Sequence, residues 1–384
     1  DTLALTKQGR ALILAGKSRE AEATLRKAAQ QSGQSIESLY ELARVKLAGD
    51  DYRAARAACA PLSSKDKDAV LTHVCLGRAQ LVWRRASKAA EHLDEARARD
   101  ASHPEVMLAY ADMQRLSGQI DASRDAYQQV LGLEPSNAEA HYGLGLLYLI
   151  VPDREAAKRE LGEALSRQPD WPAAQYELGK LSSGAEAVAL LEKAVAAQPT
   201  FLDAKLALGA AKLETGDVAG AEALFRDVLK KSKNHALARA RLGMALEVKG
   251  DFAAAEAELK AGLATLSNDA EASLSLARVY AKTDRIEDAF DAYRAVASIE
   301  RQNPRALIEA GELAARLSRH ALAQAFFEKA LERAPDSTVA HLGFADASLA
   351  RGDASAAKQH YRQALAGQGP IDREAVKKRL ATLE

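Results

Sequence analysis

Histidine, cysteine and arginine are the residue types in this chain whose spacing could support chemistry. None of the eight histidines has a partner at the H-E-x-x-H spacing of a zinc enzyme. The chain also lacks the G-x-S-x-G turn of a serine nucleophile and the G-x-x-x-x-G-K-[ST] loop that cradles phosphate. The sequence therefore predicts no catalytic residue, no metal site and no cofactor, and a protein that is not an enzyme.

The chain has two cysteines, Cys59 and Cys75. Two are too few for a four-cysteine zinc site or for a disulfide-dense scaffold. In the repeat described below, Cys59 falls on the second helix of one hairpin and Cys75 on the first helix of the next. They either form a disulfide, if the compartment is oxidising, or remain two buried thiols that pack as small hydrophobic side chains.

Three arginines, Arg10, Arg44 and Arg78, follow one another at intervals of 34 residues. We name them the arginine ladder. Each guanidinium group can donate two parallel hydrogen bonds to one carboxylate. If the three side chains share a face, they are suited to bind an acidic peptide segment or a C-terminal carboxylate.

The 34-residue interval belongs to a repeat that extends through most of the chain. Each unit has a glycine or alanine at one position, and every step between these positions is 34 residues except the step from Gly179 to Gly209, which is 30. The eleven positions are Gly9, Ala43, Gly77, Ala111, Gly145, Gly179, Gly209, Gly243, Ala277, Gly311 and Ala345. In the full-length units a second small residue follows 12 places later, and a larger residue such as Leu25 or Tyr127 comes four places after that.

This spacing predicts pairs of antiparallel helices, each about twelve residues long. Small side chains at the helix crossing let two backbones approach, and the larger side chain one turn away fills the space beside them. Glycine followed by a polar residue marks the turns, where glycine ends the first helix and the polar residue caps the second. Such pairs include Gly49-Asp50, Gly118-Gln119 and Gly250-Asp251, and several units end in proline, at Pro135, Pro169, Pro199 and Pro335.

The pattern resembles the tetratricopeptide repeat family, most clearly in HYGLGLLYL at 141–149 and LALGAAKLETGDVAGAEALFRDVL at 206–229. The resemblance implies an all-α fold, a right-handed α-solenoid superhelix of antiparallel helix hairpins. Eleven repeats are expected within residues 2–371, starting near residues 2, 36, 70, 104, 138, 172, 202, 236, 270, 304 and 338. Residues 372–384 are expected to form a C-terminal capping helix, with Asp372 as its N-cap.

Repeat six, residues 172–201, is four residues shorter than the other repeats. Four residues are close to one helical turn, so their loss keeps the buried faces in phase. The sequence therefore predicts a shortened hairpin, which either changes the local curvature of the array or has no role of its own.

In the family that this chain resembles, the first helices of the repeats line a concave face, and ligands bind there. On that basis the sequence predicts a partner-binding groove lined by Arg10, Tyr40, Arg44, Arg78, Tyr142, Leu146, Tyr176 and Lys180. Tyrosine and arginine are enriched among the residues that dominate interface energies. The alternatives are that these charges are solvated, or that the side chains pack between neighbouring first helices.

The favoured function is a non-enzymatic protein–protein interaction scaffold or adaptor that binds a peptide segment or a partner helix in the groove. The 53 basic and 53 acidic residues give no net charge, so no nucleic-acid partner is expected. No apolar run is long enough to span a bilayer directly. The alternatives are a regulatory or targeting repeat fragment of a larger enzyme, and a structural oligomer that self-associates.

The abundance of alanine and arginine suggests a bacterial protein. Arrays of this kind serve envelope assemblies such as pilus, secretion, motility and polysaccharide-export machines. The expected location is therefore the periplasm or the outer-membrane surface, with the cytoplasm as the alternative. The chain begins at Asp1, which leaves open whether an N-terminal signal, a lipid anchor or a further domain precedes it.

Overall fold

The computed structural model describes residues 2–49 and 51–383, in which every regular element is helical. The chain forms two compact units that divide between Ala211 and Lys212. Unit 1 contains the helices Thr2–Leu14 (α1), Ser18–Gln31 (α2), Ile36–Leu47 (α3), Tyr52–Ala58 (α4), Ala60–Lys65 (α5), Val70–Val82 (α6), Ala86–Arg99 (α7), Pro104–Leu116 (α8), Ile120–Leu133 (α9), Ala138–Ile150 (α10), Arg154–Arg167 (α11), Pro172–Leu181 (α12) and Gly184–Ala197 (α13).

The helix Leu202–Glu214 (α14) contains the division between the units. Unit 2 continues with Val218–Lys231 (α15), Ala236–Lys249 (α16), Phe252–Leu263 (α17), Ala270–Lys282 (α18), Ile286–Ile299 (α19), Arg305–Arg316 (α20), His320–Arg333 (α21), Thr338–Ala350 (α22), Ala354–Ala366 (α23) and Arg373–Ala381 (α24).

The helices of a hairpin approach closely because glycine removes a side chain at their crossing. A Cβ added to Gly77 on α6 would lie 2.7 Å from the Leu93 side chain on α7. A Cβ added to Gly243 on α16 would lie 2.6 Å from Leu259 on α17. Both leucines are fully buried. The predicted packing of small against large residues is confirmed, and so is the all-α fold of helix hairpins.

The same large position also packs against the hairpin that follows. A Cβ added to Gly143 on α10 would overlap the ring of Tyr127, which belongs to the preceding hairpin. Gly343 on α22 faces the ring of Phe327 in the same way. Since both aromatic rings are buried, consecutive hairpins in each unit share core side chains.

The predicted turns of glycine and a polar residue follow the expected capping chemistry at Gly250-Asp251 but not at Gly118-Gln119. Gly250 ends α16 with a φ of 90°, in the left-handed region, and Asp251 accepts a hydrogen bond from the Ala254 N–H at 3.2 Å. Gln119 makes no such bond to α9, because its amide is one methylene further from the backbone than that of asparagine. At the C-terminus Asp372 caps α24 as predicted. Asp50 of the expected Gly49-Asp50 turn lies outside the described residues.

Two hairpins depart from the regular pattern. The expected second helix of repeat two is broken into α4 and α5, because Pro61 has no N–H to donate and its ring excludes a continuous helix through the preceding turn. In repeat six, α12 has 10 residues where α10 has 13, while α13 keeps 14. The shortening therefore falls in the first helix and the turn; its effect on curvature stays a prediction.

Candidate functional site

The arginine ladder lies on the first helices of unit 1, on α1, α3 and α6. Arg44, the middle member, is only 5% exposed. Its Nη1 donates to Glu105 Oε1 at 2.9 Å, and its Nη2 donates to Glu139. These glutamates lie 61 and 95 residues further along the chain, on α8 and α10. The central guanidinium group is therefore already bound by carboxylates of the same chain.

Glu105 connects the three members of the ladder. Its Oε2 accepts hydrogen bonds from Tyr40 Oη at 2.8 Å and from Arg78 Nη2 at 3.3 Å. Its Oε1 lies 3.7 Å from Arg10 Nη2. Burial by itself raises the pKa of Glu105, but the three guanidinium groups outweigh burial and lower that pKa to about 2. Glu105 is therefore ionised at neutral pH and neutralises part of the ladder from within.

Arg10 completes this arrangement by donating to Glu41. We name the six charged residues the acid–arginine cluster: Arg10, Arg44, Arg78, Glu41, Glu105 and Glu139. Its three positive charges meet three negative charges. Binding of an acidic partner to the ladder stays a prediction, and Arg10, whose side chain is 43% exposed, is the accessible member of the ladder.

Distant parts of unit 1 also contact one another near α1. Gln168 Nε2 donates to the carbonyl oxygen of Ala11 at 3.3 Å, across 157 residues of sequence. Leu14 packs against the hydrophobic cluster that contains the buried Trp171. Residues of α1 therefore contact later parts of unit 1 near the ladder, which favours the alternative of packing between side chains of the same chain.

The other predicted groove residues form a second group, on α10 and α12. The ring centroid of Tyr142 lies 4.4 Å from that of the Trp171 ring, and burial raises the pKa of Tyr142. Lys180 Nζ lies 4.3 Å from the centroid of the Tyr176 ring. Leu146 and both tyrosines are half-buried, and Lys180 is exposed. The structure thus separates the predicted residues into a charged group, in which Arg44 is buried and Arg10 is exposed, and an aromatic group that is half-buried.

Unit 2 contains an open cavity of about 710 Å³ between α16, α18, α20 and α22. We name it the unit 2 groove; its lining includes Arg278, Lys282, Glu309, Glu312, Arg316 and Leu342. These helices are the first helices of their hairpins, as are those that carry the arginine ladder. The predicted concave surface is therefore accessible in unit 2.

The charges of the unit 2 groove are only partly neutralised. Arg278 donates from Nε and Nη2 to the two carboxylate oxygens of Glu309, at 2.8 and 2.7 Å. Within residues 2–49 and 51–383, no hydrogen bond or ion pair within 4 Å involves the side chains of Lys282, Glu312 or Arg316. Burial, together with the nearby charge of Glu309, raises the pKa of Glu312. Among the described residues, the groove therefore offers two cations and one carboxylate that form no ion pair within 4 Å, although the charge of Arg316 acts on Glu312 and lowers its pKa against the effect of burial.

Sequence reasoning did not select the unit 2 groove, although a signal for it was present. Arg278 and Glu312 occupy the same repeat position as the ladder arginines. The sequence placed all of them on one row of the predicted concave face. In one part of this row, carboxylates of the same chain cover the charged side chains, and in another part they do not. The sequence did not distinguish the two parts.

Cys59 and Cys75 form a disulfide, with sulfurs 1.99 Å apart and Cα atoms 5.7 Å apart. Cys59 immediately follows α4 and Cys75 lies in α6, at the repeat positions that Tyr127 and Gly143 occupy two hairpins later. Both cysteines are fully buried. The bond therefore joins two consecutive hairpins, and of the two alternatives that the sequence left open, the structure has the bonded one.

The described residues provide little else that could perform chemistry. His141 Nδ1 lies 2.9 Å from Glu160 Oε2, and His341 Nδ1 lies 2.9 Å from His360 Nδ1 at the same two repeat positions. In the part of the chain that the structure describes, no three His, Cys, Asp or Glu side chains are grouped so that they could hold a metal ion. The same residues include no helix with the length and apolarity needed to cross a membrane.

Family models for tetratricopeptide repeats match more than half of the chain when taken together. One, described as TPR repeat, matches residues 111–149. A second, described as tetratricopeptide repeat, matches residues 183–246, 212–279 and 314–378. The matched segments come from both units, and they include the helices α16 and α22 of the unit 2 groove.

A curated relative and two solved structures extend this comparison. The Cellulose synthase 1 operon protein C of Komagataeibacter xylinus is 31% identical over 129 residues, which cover 32% of this chain and only 10% of that protein. The structure of the APC/C hetero-tetramer Cut9-Hcn1 matches with a TM-score of 0.55 and 14% identity, covering 89% of this chain and 75% of that one. A tetratricopeptide repeat protein from Parabacteroides merdae matches with a TM-score of 0.50 and 15% identity, covering 64% and 98%. At these identities the structures show a shared fold.

Proposed function

Because the chain belongs to the tetratricopeptide repeat family, we propose that it is a non-enzymatic scaffold that holds a peptide segment or helix of a partner protein in the unit 2 groove. Repeats of this family suggest protein–protein interaction, and the described residues group no metal ligands. The proposal commits to one of the two units as the place where the partner binds.

The accessibility of the unit 2 groove is the observation that carries the proposal. Its volume of about 710 Å³ can accept several side chains of a partner. Ala315 and Leu342 provide an apolar surface in it, while Lys282, Glu312 and Arg316 have charges available. An amphipathic helix or an extended segment can bury apolar side chains on such a surface and pair its own charges with the rim.

Some of the residues predicted from the sequence keep a proposed role in binding. Tyr176 and Lys180 are accessible, so we retain them as contacts for a partner. Arg44 and Arg78 are instead proposed to stabilise unit 1, because their guanidinium groups are buried against Glu105. A guest that binds the ladder would need to compensate for the loss of these internal contacts.

The proposed setting is an assembly of the bacterial envelope. The disulfide between Cys59 and Cys75 supports an oxidising compartment such as the periplasm, since cytosolic thiols are kept reduced. The partial similarity to a protein named for a cellulose synthase operon supports polysaccharide export over pilus, secretion or motility machines.

Affinity capture from the native organism tests the groove when variants are compared. The parent protein captures a partner, and the double variant Lys282→Glu, Arg316→Glu is expected to lose it. The matched control is Lys230→Glu, Lys231→Glu, which makes the same change in charge at two exposed positions of α15. The captured protein is then cut into peptides, and the binding peptide is titrated against the same three proteins. Equal affinity for all three would exclude the groove.

The two alternative functions have their own tests. Light scattering over a range of concentrations shows self-association, and a mass that doubles at micromolar concentration with no captured partner would favour the structural oligomer. A complete reading frame that contains a catalytic domain would favour the regulatory fragment.

A further inference from the structure

A group of aromatic and arginine side chains lies where α4 meets the turn between α6 and α7. Trp83, in that turn, is 44% exposed. Its ring is stacked on Tyr52, with centroids 4.3 Å apart, and the guanidinium carbon of Arg85 lies 3.2 Å from its ring centroid. None of these residues belongs to the acid–arginine cluster or to the unit 2 groove.

This group borders an open depression of about 520 Å³. Arg53 and Arg56 lie three positions apart on α4, so both line the depression with Tyr52 and Trp83. Both arginines are exposed. We name these five residues the aromatic–arginine patch: Tyr52, Arg53, Arg56, Trp83 and Arg85.

The arginines of the patch have no ion-pair partner in residues 2–49 and 51–383. Among the described residues, no carboxylate lies within ion-pair distance of Arg53, Arg56, Arg84 or Arg85. Arg84 has a φ of 56°, in the left-handed region, at the turn position that Gly118 and Gly250 occupy in other hairpins and that Asp284 and Ser318 also hold with positive φ. A non-glycine residue is disfavoured in that conformation. An arginine therefore lies there against the local backbone preference.

The disulfide holds the two parts of the patch together. Cys59 directly follows α4, which carries Tyr52, and Cys75 lies in α6, which leads to Trp83. Without the bond, α4 is a helix of 7 residues that ends before Pro61. Such a short helix has little stability of its own. The covalent link therefore adds to the packing of the buried Ala55 in holding the patch in position.

We propose that the aromatic–arginine patch is a second docking site, which binds a segment of a partner protein that has acidic residues beside an aromatic or aliphatic one. Free guanidinium groups pair with carboxylates, and tryptophan, tyrosine and arginine are the residues most enriched where binding energy concentrates. The aromatic or aliphatic side chain of the partner segment enters the depression beside the stacked rings. A flat anionic lipid surface has no side chain of this kind. The site is separate from the unit 2 groove and does not depend on it.

Fluorescence anisotropy with a defined probe tests the patch. The probe is a labelled synthetic octapeptide with one phenylalanine between aspartates and glutamates. We expect the double variant Arg53→Glu, Arg56→Glu to raise the Kd of the probe at least about tenfold, and Trp83→Ser to raise it by a similar factor. The matched control is Lys230→Glu, Lys231→Glu, which makes the same change in charge at two exposed positions of α15 and is expected to leave the Kd within about twofold.

Two further measurements distinguish a peptide site held by the disulfide from a surface that attracts any anion. Reductant is expected to weaken probe binding to the parent protein, since it releases α4 from α6. Vesicles of phosphatidylglycerol, with phosphatidylcholine as the neutral reference, measure attraction to lipid. An equal loss of probe binding in the two charge variants would overturn the proposal, and so would unchanged probe binding in Trp83→Ser. Binding to the anionic vesicles that requires the patch, without binding to the peptide, would also overturn it. If the variant Lys282→Glu, Arg316→Glu still captures the partner, that result contradicts the proposed role of the unit 2 groove and does not bear on the patch.

Discussion

Units 1 and 2 place charged residues at the same repeat positions, but they use those charges differently. In unit 1, Arg44 reaches carboxylates 61 and 95 residues away, several hairpins further along the chain. In unit 2, Arg278 pairs with Glu309, 31 residues away in the next hairpin. The same position in a repeat can thus hold a structural charge or an available one, depending on whether later hairpins bring a partner to it.

The two arrangements also differ in what they contribute to stability. The Arg44 side chain is 6% exposed and that of Arg278 is 28% exposed. Buried charges require a complete set of partners, because one charge left alone in a low dielectric is strongly unfavourable. When a partly exposed pair breaks, water solvates the separated charges. The loss of such a pair therefore lowers the free energy of unfolding by less. Unit 1 should therefore be sensitive to changes that unit 2 tolerates.

The largest effect is expected for Glu105→Gln, which leaves the buried cluster with an excess positive charge. Loss of one partner from a buried pair costs about 3–5 kcal/mol of the free energy of unfolding. The matched change in unit 2, Glu309→Gln, should cost less than about 1 kcal/mol. Both tryptophans, Trp83 and Trp171, lie in unit 1, so tryptophan fluorescence in urea reports unit 1 and circular dichroism reports both units. Equal losses in the two variants would contradict the comparison.

Acid should act with opposite sign on Glu105 of unit 1 and on two glutamates of the unit 2 groove. The pKa of Glu105 is about 2 in the folded protein, below the roughly 4.3 of an unfolded glutamate. The Glu105 carboxylate therefore contributes fully to the free energy of unfolding of unit 1 above pH ~4.3. This contribution, on the order of 3 kcal/mol, is lost as the pH falls through about 2. Burial raises the pKa values of Glu247 and Glu312 in unit 2. These two carboxyl groups therefore lower the free energy of unfolding as the pH rises above the pKa of an unfolded glutamate.

Urea unfolding of the parent protein and of Glu105→Gln at a series of acidic pH values measures this difference. The variant should lack the loss of unit 1 stability that the parent shows on acidification, because it has no carboxyl group to protonate at that position. A parent and a variant with parallel pH profiles would assign the acid sensitivity to other groups.

Removal of the disulfide should affect unit 1 alone, since unit 2 contains no cysteine. The bond closes a loop across a sequence separation of 16 residues, and closure of a loop of about that length contributes roughly 3 kcal/mol. We expect Cys59→Ala, Cys75→Ala to lower the fluorescence-detected stability by about that amount. Reductant serves as the control, because it should reproduce the loss in the parent and leave the double variant unchanged.

The smallest effect is expected from overpacking the hairpin cores, and it should be alike in both units. Ala89 on α7 and Ala255 on α17 are fully buried at equivalent positions. Their replacement by leucine forces the paired helices apart and should cost about 1–3 kcal/mol in each case. Thermal unfolding followed by circular dichroism measures both variants. A large cost in only one unit would show that the units differ in their hairpins as well as in their inner charges.

The helix hairpins could be predicted from the sequence because the interactions that form them are local. Gly77 meets Leu93 only 16 residues later, and Asp251 caps the helix that it precedes. A regular interval between such residues is therefore enough to predict the packing. The break at Pro61 was missed although its cause is also local, because the regular spacing around it predicts an unbroken second helix.

The partners of the arginine ladder could not be predicted in this way. Arg44 and Glu139 have ordinary positions in their own repeats, and neither residue contains information about the other. Their contact depends on how far each hairpin is rotated against the next, and small rotations add up over several repeats. The bond between Cys59 and Cys75 is an intermediate case, because the sequence placed the two residues on neighbouring helices but left their pairing open.

The amino-acid sequence by itself determined that this chain is an array of paired helices, and it predicted which residues share one face of the first helices. Only the tertiary structure decided that Arg44 is neutralised by distant carboxylates in unit 1, whereas the unit 2 groove stays accessible. The physical reason is that side-chain size and capping act over one or two helical turns, whereas the closure of a curved surface depends on angles accumulated along many hairpins.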